Sequence, residues 1–274
     1  MDIHRTTLMS AASLLIAVLS GCASTPHLAS DGSRPELRLG LRITGDAVAL
    51  NAYEFVLYDT GLVIIKRRRS DDLYEFFSVE LSRQEVTQLL DELQLKNFFA
   101  LDESYDLYET ASDLPTYTIE AWDPARSELR RVRVRGILSE HGHRFDSDMT
   151  FAAPSAFVRV YERLDSYSHP RERPWFPEQF DIPVSSWPGR GKSCPWPRGW
   201  EDLDSAGSTH LPARPDSPFA ELGIIRIRGS RLLDVQRFLD DCHRTTGEIR
   251  VLVNQQPVWL YPVVNLPHQQ SDGS

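Results

Sequence analysis

Apolar residues recur at every second position in short runs bounded by turn residues, and this period constrains the fold of the chain more than any other feature. Leu37, Leu39, Leu41 and Ile43 alternate with polar or small residues, as a half-buried strand requires. Glu54–Tyr58 and Leu62–Lys66 are strand-like runs around Asp59-Thr60-Gly61, a hairpin-turn signal. Tyr74–Glu80 is a further strand, and Thr116–Trp122 and Leu129–Arg135 form two more joined at Asp123-Pro124. A helical period interrupts twice. Ser82-Arg83-Gln84-Glu85 is a capping box, and Val86, Leu89, Leu90 and Leu93 follow on one apolar face. Ser155–Tyr167 places Phe157, Val160, Tyr161 and Leu164 on another. Both stripes are core in character. Residues 37–168 are therefore expected to be an α+β domain of antiparallel strands with two packed helices.

Residues 169–218 break the rhythm. They hold ten of the chain's 18 prolines, together with Trp175, Trp187, Trp196 and Trp200. Fifty residues without a period exceed an ordinary loop, so an irregular wrapping segment or interdomain connection is expected, with the tryptophans opposing free disorder. Regularity returns with strand Gly223–Arg228, helix Ser230–Arg244, strand Glu248–Asn254, a turn at Gln255-Gln256 and strand Val258–Val264. This is a smaller C-terminal β-α-β-β unit over 219–267, followed by a polar tail, 268–274.

Hydrophobic content of 41% and charged content of 25% are ordinary globular values. The formal net charge of −9 argues against nucleic acid as a partner, because phosphate-backbone affinity depends on many Lys and Arg contacts. Gly189-Arg190-Gly191-Lys192-Ser193 matches the end of a phosphate-binding loop, but Ser186 stands where the motif needs Gly, and Pro188 and Pro195 flank it. His141-Gly142-His143 with Asp146 and Asp148 offers imidazole and carboxylate donors, yet the spacing matches no closed metal site. Asp102, Glu103, Asp106, Glu109 and Asp113 form an acidic cluster that could hold an acid/base pair, although carboxylates between a helix and a strand are usually solvated surface. Arg67-Arg68-Arg69 and Arg131, Arg133 and Arg135 are the basic counterweight. The last three alternate with Val132 and Val134, so that strand has a cationic face, open to phosphate-bearing headgroups or polyanionic polymers but more readily paired with the acidic cluster. No nucleophile elbow, metalloprotease helix or local Cys-His pairing occurs. No catalytic residue, metal ligand or cofactor is assigned.

The N-terminus carries an address. Arg5 gives a short basic region, and Leu8–Leu19 is a 12-residue apolar or small run without charge, too short to span a bilayer. It ends in Leu19-Ser20-Gly21-Cys22, which resembles the lipobox of bacterial lipoproteins. The resemblance implies a signal peptide over residues 1–21 and an acylated Cys22 at the mature N-terminus. Ala23, where lipoproteins retained at the inner membrane carry Asp, implies the periplasmic face of the outer membrane. Several acyl chains, at ~0.8 kcal/mol per buried methylene, make such an anchor stable. Residues 22–36 are small, polar and Pro-containing, a flexible tether between lipid and domain.

Within the first domain, Leu81-Ser82-x-x-Glu85-Val86, Asn97-Phe98-Phe99-x-Leu101, Tyr105 and Ser112-Asp113-Leu114-Pro115-Thr116 resemble a domain of unknown function found in bacterial envelope proteins and lipoproteins. The likeness spans residues 37–167 and implies a small α+β domain in an exported setting, with no activity attached. With Cys22 acylated, Cys194 and Cys242 remain, an even number in an oxidising compartment. A Cys194–Cys242 disulfide is expected to pin the Pro- and Trp-rich segment to the C-terminal unit; the alternative is two unpaired thiols. The expectation for function is a lipid-anchored, non-catalytic binding or structural module with an envelope protein or cell-wall polymer as partner. A periplasmic hydrolase or other enzyme using the acidic cluster or the His-Gly-His loop is the alternative.

Overall fold

The computed structural model describes residues 35–44, 53–70, 73–107, 114–136, 153–186, 192–211, 221–246, 250–260 and 262–269. Their fold is α+β, built on two mixed sheets. The first holds β1 (Leu37–Thr44), β2 (Tyr53–Tyr58), β3 (Leu62–Arg68), β4 (Tyr74–Glu80), β5 (Ser104–Asp106), β6 (Thr116–Asp123), β7 (Glu128–Arg135) and β8 (Arg173–Trp175). Their order is β5-β7-β6-β1-β2-β3-β4-β8, and only β5 and β7 run parallel. The second holds β9 (Gln179–Ser186), β10 (Cys194–Pro195), β11 (Thr209–His210), β12 (Glu221–Arg228), β13 (Val251–Val253) and β14 (Gln256–Leu260). Its order is β10-β13-β14-β9-β12-β11, with β10 and β13 parallel.

Side-chain alternation buries both faces of the first sheet. Leu39, Leu41, Phe55, Leu57, Val63 and Ile65 face α1 (Arg83–Leu93), α2 (Leu95–Phe98) and α3 (Ser155–Asp165). Val56, Tyr58, Leu62, Ile64 and Phe76 face the inner side of the second sheet and α4 (Leu232–Thr246), where Ile182, Ile225, Val235 and Leu239 meet them in one apolar cluster. Each such aliphatic side chain contributes about 1.5–3 kcal/mol on burial. α1 begins at the Ser82 capping box: the Glu85 amide donates to Ser82 Oγ at 3.3 Å and the Ser82 amide donates to Glu85 Oε2 at 2.8 Å. The β2–β3 turn needs Gly61, whose φ is +85° and whose missing Cβ would lie 2.4 Å from the Leu81 carbonyl oxygen. Gln236 of α4 binds β4 as a backbone neighbour would. Its Oε1 accepts from the Tyr74 amide at 2.7 Å, and its Nε2 donates to the Tyr74 carbonyl at 2.9 Å.

Three expectations need correction. Residues 169–218 are not irregular throughout, because β9 lies between β14 and β12 inside the second sheet and buries Phe180, Ile182 and Val184. Pro183 disguises it. Pro183 lies within the strand, opposite Ile224 of β12, where a proline argues against a place inside a sheet. The C-terminal hairpin turns at Asn254-Gln255, not Gln255-Gln256. Both turn residues have positive φ, 48° and 66°, with Val253 opposite Gln256, and Asn tolerates that conformation well. Finally, residue 268, placed above at the start of the polar tail, belongs to the packed part, since His268 lies against β2.

Candidate functional site

The least expected chemistry is a polar row across the face of the first sheet that meets the second. Pairing passes from Leu41–Phe55 to Arg42–Tyr53, leaving Glu54 as an additional residue on β2. Such a bulge re-aims side chains, and Tyr53 joins the face of Val56 and Tyr58. Gly40 makes room for the ring: a Cβ there would lie 2.8 Å from Tyr53 Cε1. Across β1, Gly40 is opposite Glu120 of β6. The Tyr53 hydroxyl donates a short hydrogen bond to Glu120 Oε2, and Arg131 Nε donates to Oε1 at 2.6 Å. Glu120 is 1% exposed. A buried carboxylate persists only when paired and hydrogen-bonded, and these two donors supply that. Burial, helped by the Glu120 hydrogen bond, pushes the Tyr53 hydroxyl well above its ordinary range and keeps it a donor.

The row continues with Lys66 Nζ, 2.5 Å from Glu54 Oε1 and 4.8 Å from the centre of the Tyr74 ring. His268 closes it from the C-terminal side. Its ring lies 5.4 Å from that of Tyr53 and 5.6 Å from that of Tyr58, and its Nδ1 is 2.8 Å from the Tyr58 hydroxyl. Burial lowers the His268 pKa, with the Glu120 charge opposing. Sequence reasoning missed Tyr53, Glu120, Lys66 and His268. The available signal was a single carboxylate inside the otherwise apolar Ile119–Trp122 run. The row holds charges together between strands, and neither of the two pockets described next includes it.

A polar groove of about 200 Å³ lies between α1 and α3, lined by Glu85, Glu92, Arg163, Tyr167 and His169 among others. Arg171 Nη2 donates to both Glu85 oxygens at 2.6 and 2.7 Å, and Arg163 Nη2 reaches Glu92 at 2.8 Å. The Ser82 backbone amide, then its side chain and Arg171, hold the Glu85 carboxyl down at about 2. Arg163 and then Gln88 lower Glu92. A general acid at neutral pH needs a raised carboxyl pKa; here both carboxylates are held ionised, so the groove gathers acidic groups without an acid.

The second pocket is apolar. It measures about 100 Å³ and lies among Phe76, Phe77, Trp175, Phe176, Leu232 and Leu233, where β4 and β8 meet the start of α4. Phe176, one of its lining residues, is 44% exposed, the most exposed large apolar side chain among the described residues. β8 is the outer strand there, and Pro174 at its centre lacks an N–H, which blunts the edge against added strands. The surface therefore offers side chains rather than backbone pairing.

The remaining sequence candidates fall as follows. Cys22, the His141–His143 loop with Asp146 and Asp148, Gly189–Gly191, Glu109 and Asp113 lie outside the described residues. Lys192 and Ser193 precede the two-residue strand β10, not a helix. Within the acidic cluster, Arg130 Nη1 donates to Glu103 at 3.1 Å and Arg135 Nη1 to Asp106 at 3.1 Å. Arg67 clasps Glu172 through two hydrogen bonds of 2.6 and 2.8 Å, and Arg69 pairs with Glu75. Cys194 and Cys242 are joined in a disulfide with Cα atoms 5.8 Å apart, tying β10 to α4. Beside it Trp196, Trp200 and Phe238 stack edge to face, with centroids 5.3 to 5.8 Å apart. No group of three or more potential metal ligands occurs among the described residues, and no helix there is long and apolar enough to cross a membrane. No family model, curated protein or solved structure matches the chain.

Proposed function

We propose that this chain is a bacterial lipoprotein, held through acylated Cys22 at the periplasmic face of the outer membrane, and that its folded part is a non-catalytic module that binds another envelope protein. The lipobox-like Leu19-Ser20-Gly21-Cys22 after an uncharged apolar run supports the anchor. The observation that carries the binding reading is the apolar pocket with the exposed Phe176 in its lining. An apolar concavity can take up an apolar side chain of a partner, and this lining suits such a side chain better than the hydroxyl-rich surface of a cell-wall polymer. The hydrolase reading has less support, because Glu103 and Asp106 of the acidic cluster and Glu85 and Glu92 of the groove are engaged by arginines.

Site-specific photocrosslinking in intact cells tests the binding reading. A crosslinker at position 176 is expected to capture a discrete envelope protein, whereas one at position 87, exposed on α1, captures none. Equal capture at both positions, or none at 176, would contradict it.

A further inference from the structure

After β14 the chain runs as a strap, residues 262–269, that joins the two sheets. On the second sheet, Asp181 and Val263 exchange backbone hydrogen bonds of 3.0 and 2.7 Å, and Asn265 Nδ2 donates to Asp181 Oδ2 at 2.8 Å. Val264 and Leu266 are buried in the shared core. On the first sheet the strap's polar attachment is His268, set against Tyr53 and Tyr58.

Hydrogen-bond bookkeeping fixes the proton on this contact. The Tyr58 side chain is fully buried, and burial raises its pKa beyond the ordinary tyrosine range, so the hydroxyl stays protonated and needs an acceptor. His268 Nδ1, 2.8 Å away, is that acceptor among the described residues, which requires the Nδ1 lone pair and hence a neutral imidazole. Protonation of Nδ1 would set two donors against each other and leave the Tyr58 proton buried without a partner, a costly arrangement. The surrounding groups do not offset this. Glu120 is the nearby anion, but its two oxygens are already committed to the Tyr53 hydroxyl and to Arg131. Arg42, 5.7 Å from the Tyr53 ring centre, adds positive charge on the β1 side.

We infer that the strap's end, Pro267–Gln269, is an acid-released latch: protonation of His268 detaches it from Tyr58 and uncovers Tyr53 and Glu120. A buried imidazole with a depressed pKa opposes protonation in the closed state, so protons favour the open one. The closed state holds above the ordinary histidine value, and the latch loosens as pH falls below it.

The test is hydrogen exchange across residues 262–269 of the mature protein at about pH 7.5 and about pH 5, a span that brackets histidine titration, with rates corrected for intrinsic pH dependence. Wild type is expected to exchange several-fold faster at the lower pH, with a midpoint that follows the His268 imidazole titration read by NMR. His268→Gln, which keeps a side-chain acceptor and takes up no proton, is expected to lose the pH response. Equal protection of wild type at both pH values, or a His268 titration at or above its ordinary value of 6.5, would overturn the latch. So would a pH response in His268→Gln equal to that of wild type. The wild-type titration decides the matter even if the variant is open at both pH values.

Discussion

Glu120 shows how one residue's position depends on four strands. Its own strand gives it burial, β7 brings Arg131, and a bulge in β2 together with the bare backbone of Gly40 brings Tyr53. Tyr53→Phe removes a hydrogen bond to a buried charge and is expected to cost about 2 kcal/mol in urea melts; a loss below about 0.5 kcal/mol would mean that water replaces the hydroxyl. Gly40→Ala should act through the same contact, because its methyl displaces the Tyr53 ring. The sequence displayed the carboxylate, but its partners lie 67 and 11 residues away, and neither register nor bulge can be read from a period. Glu85 behaves differently, since every group that depresses its carboxyl, apart from Arg171, belongs to the local capping box. Its folded pKa lies below the unfolded value, so its contribution is present above the unfolded value and disappears as pH falls toward 2. Ser82→Ala is expected to raise the Glu85 titration point, measured by NMR, with an unchanged value counting against the cap as the cause.

Elements were legible where the local signal and the tertiary environment agreed. α1 follows its capping box and buries Leu89 and Leu93, with Val86 and Leu90 packed at the edge of the same cluster. Leu89→Ala is therefore expected to cost roughly 2–5 kcal/mol, as buried truncations do, and a loss under about 0.5 kcal/mol would make that face an open groove instead. β9 was hidden by Pro183, although Phe180, Ile182 and Val184 keep the period of a strand. β5, β8, β10 and β11 are two or three residues long, too short for any period to show. The Cys194–Cys242 tie closes a loop of 48 residues. Its reduction is expected to lower stability by about 4 kcal/mol on the chain-entropy model, read as a shifted urea midpoint. An unshifted midpoint would show that the Trp196–Trp200–Phe238 packing holds β10 against α4 without the bond.

At the scale of the whole molecule, three layers share the first sheet: helices on one face, and the second sheet with α4 on the other. The sequence separated the N-terminal strands from the C-terminal unit because residues 169–218 look unlike either. In space the two share one apolar cluster, with Tyr58 and Ile64 against Ile182 and Val235, and a period read along one strand carries no information about which sheet will cover it. The Phe176 pocket and the polar groove are concave features of this assembly, and Glu120 and Lys66 of the charged row are buried within it. On the proposed reading the folded part is presented from a membrane through an acylated Cys22. Labelled palmitate supplied to growing cells, followed by fractionation, tests that placement most directly. The wild-type chain is expected to carry label and to sediment with outer membranes, while Cys22→Ala carries none and leaves that fraction. An unlabelled wild-type chain, or a Cys22→Ala chain that still fractionates with the outer membrane, would contradict the lipid-anchored reading.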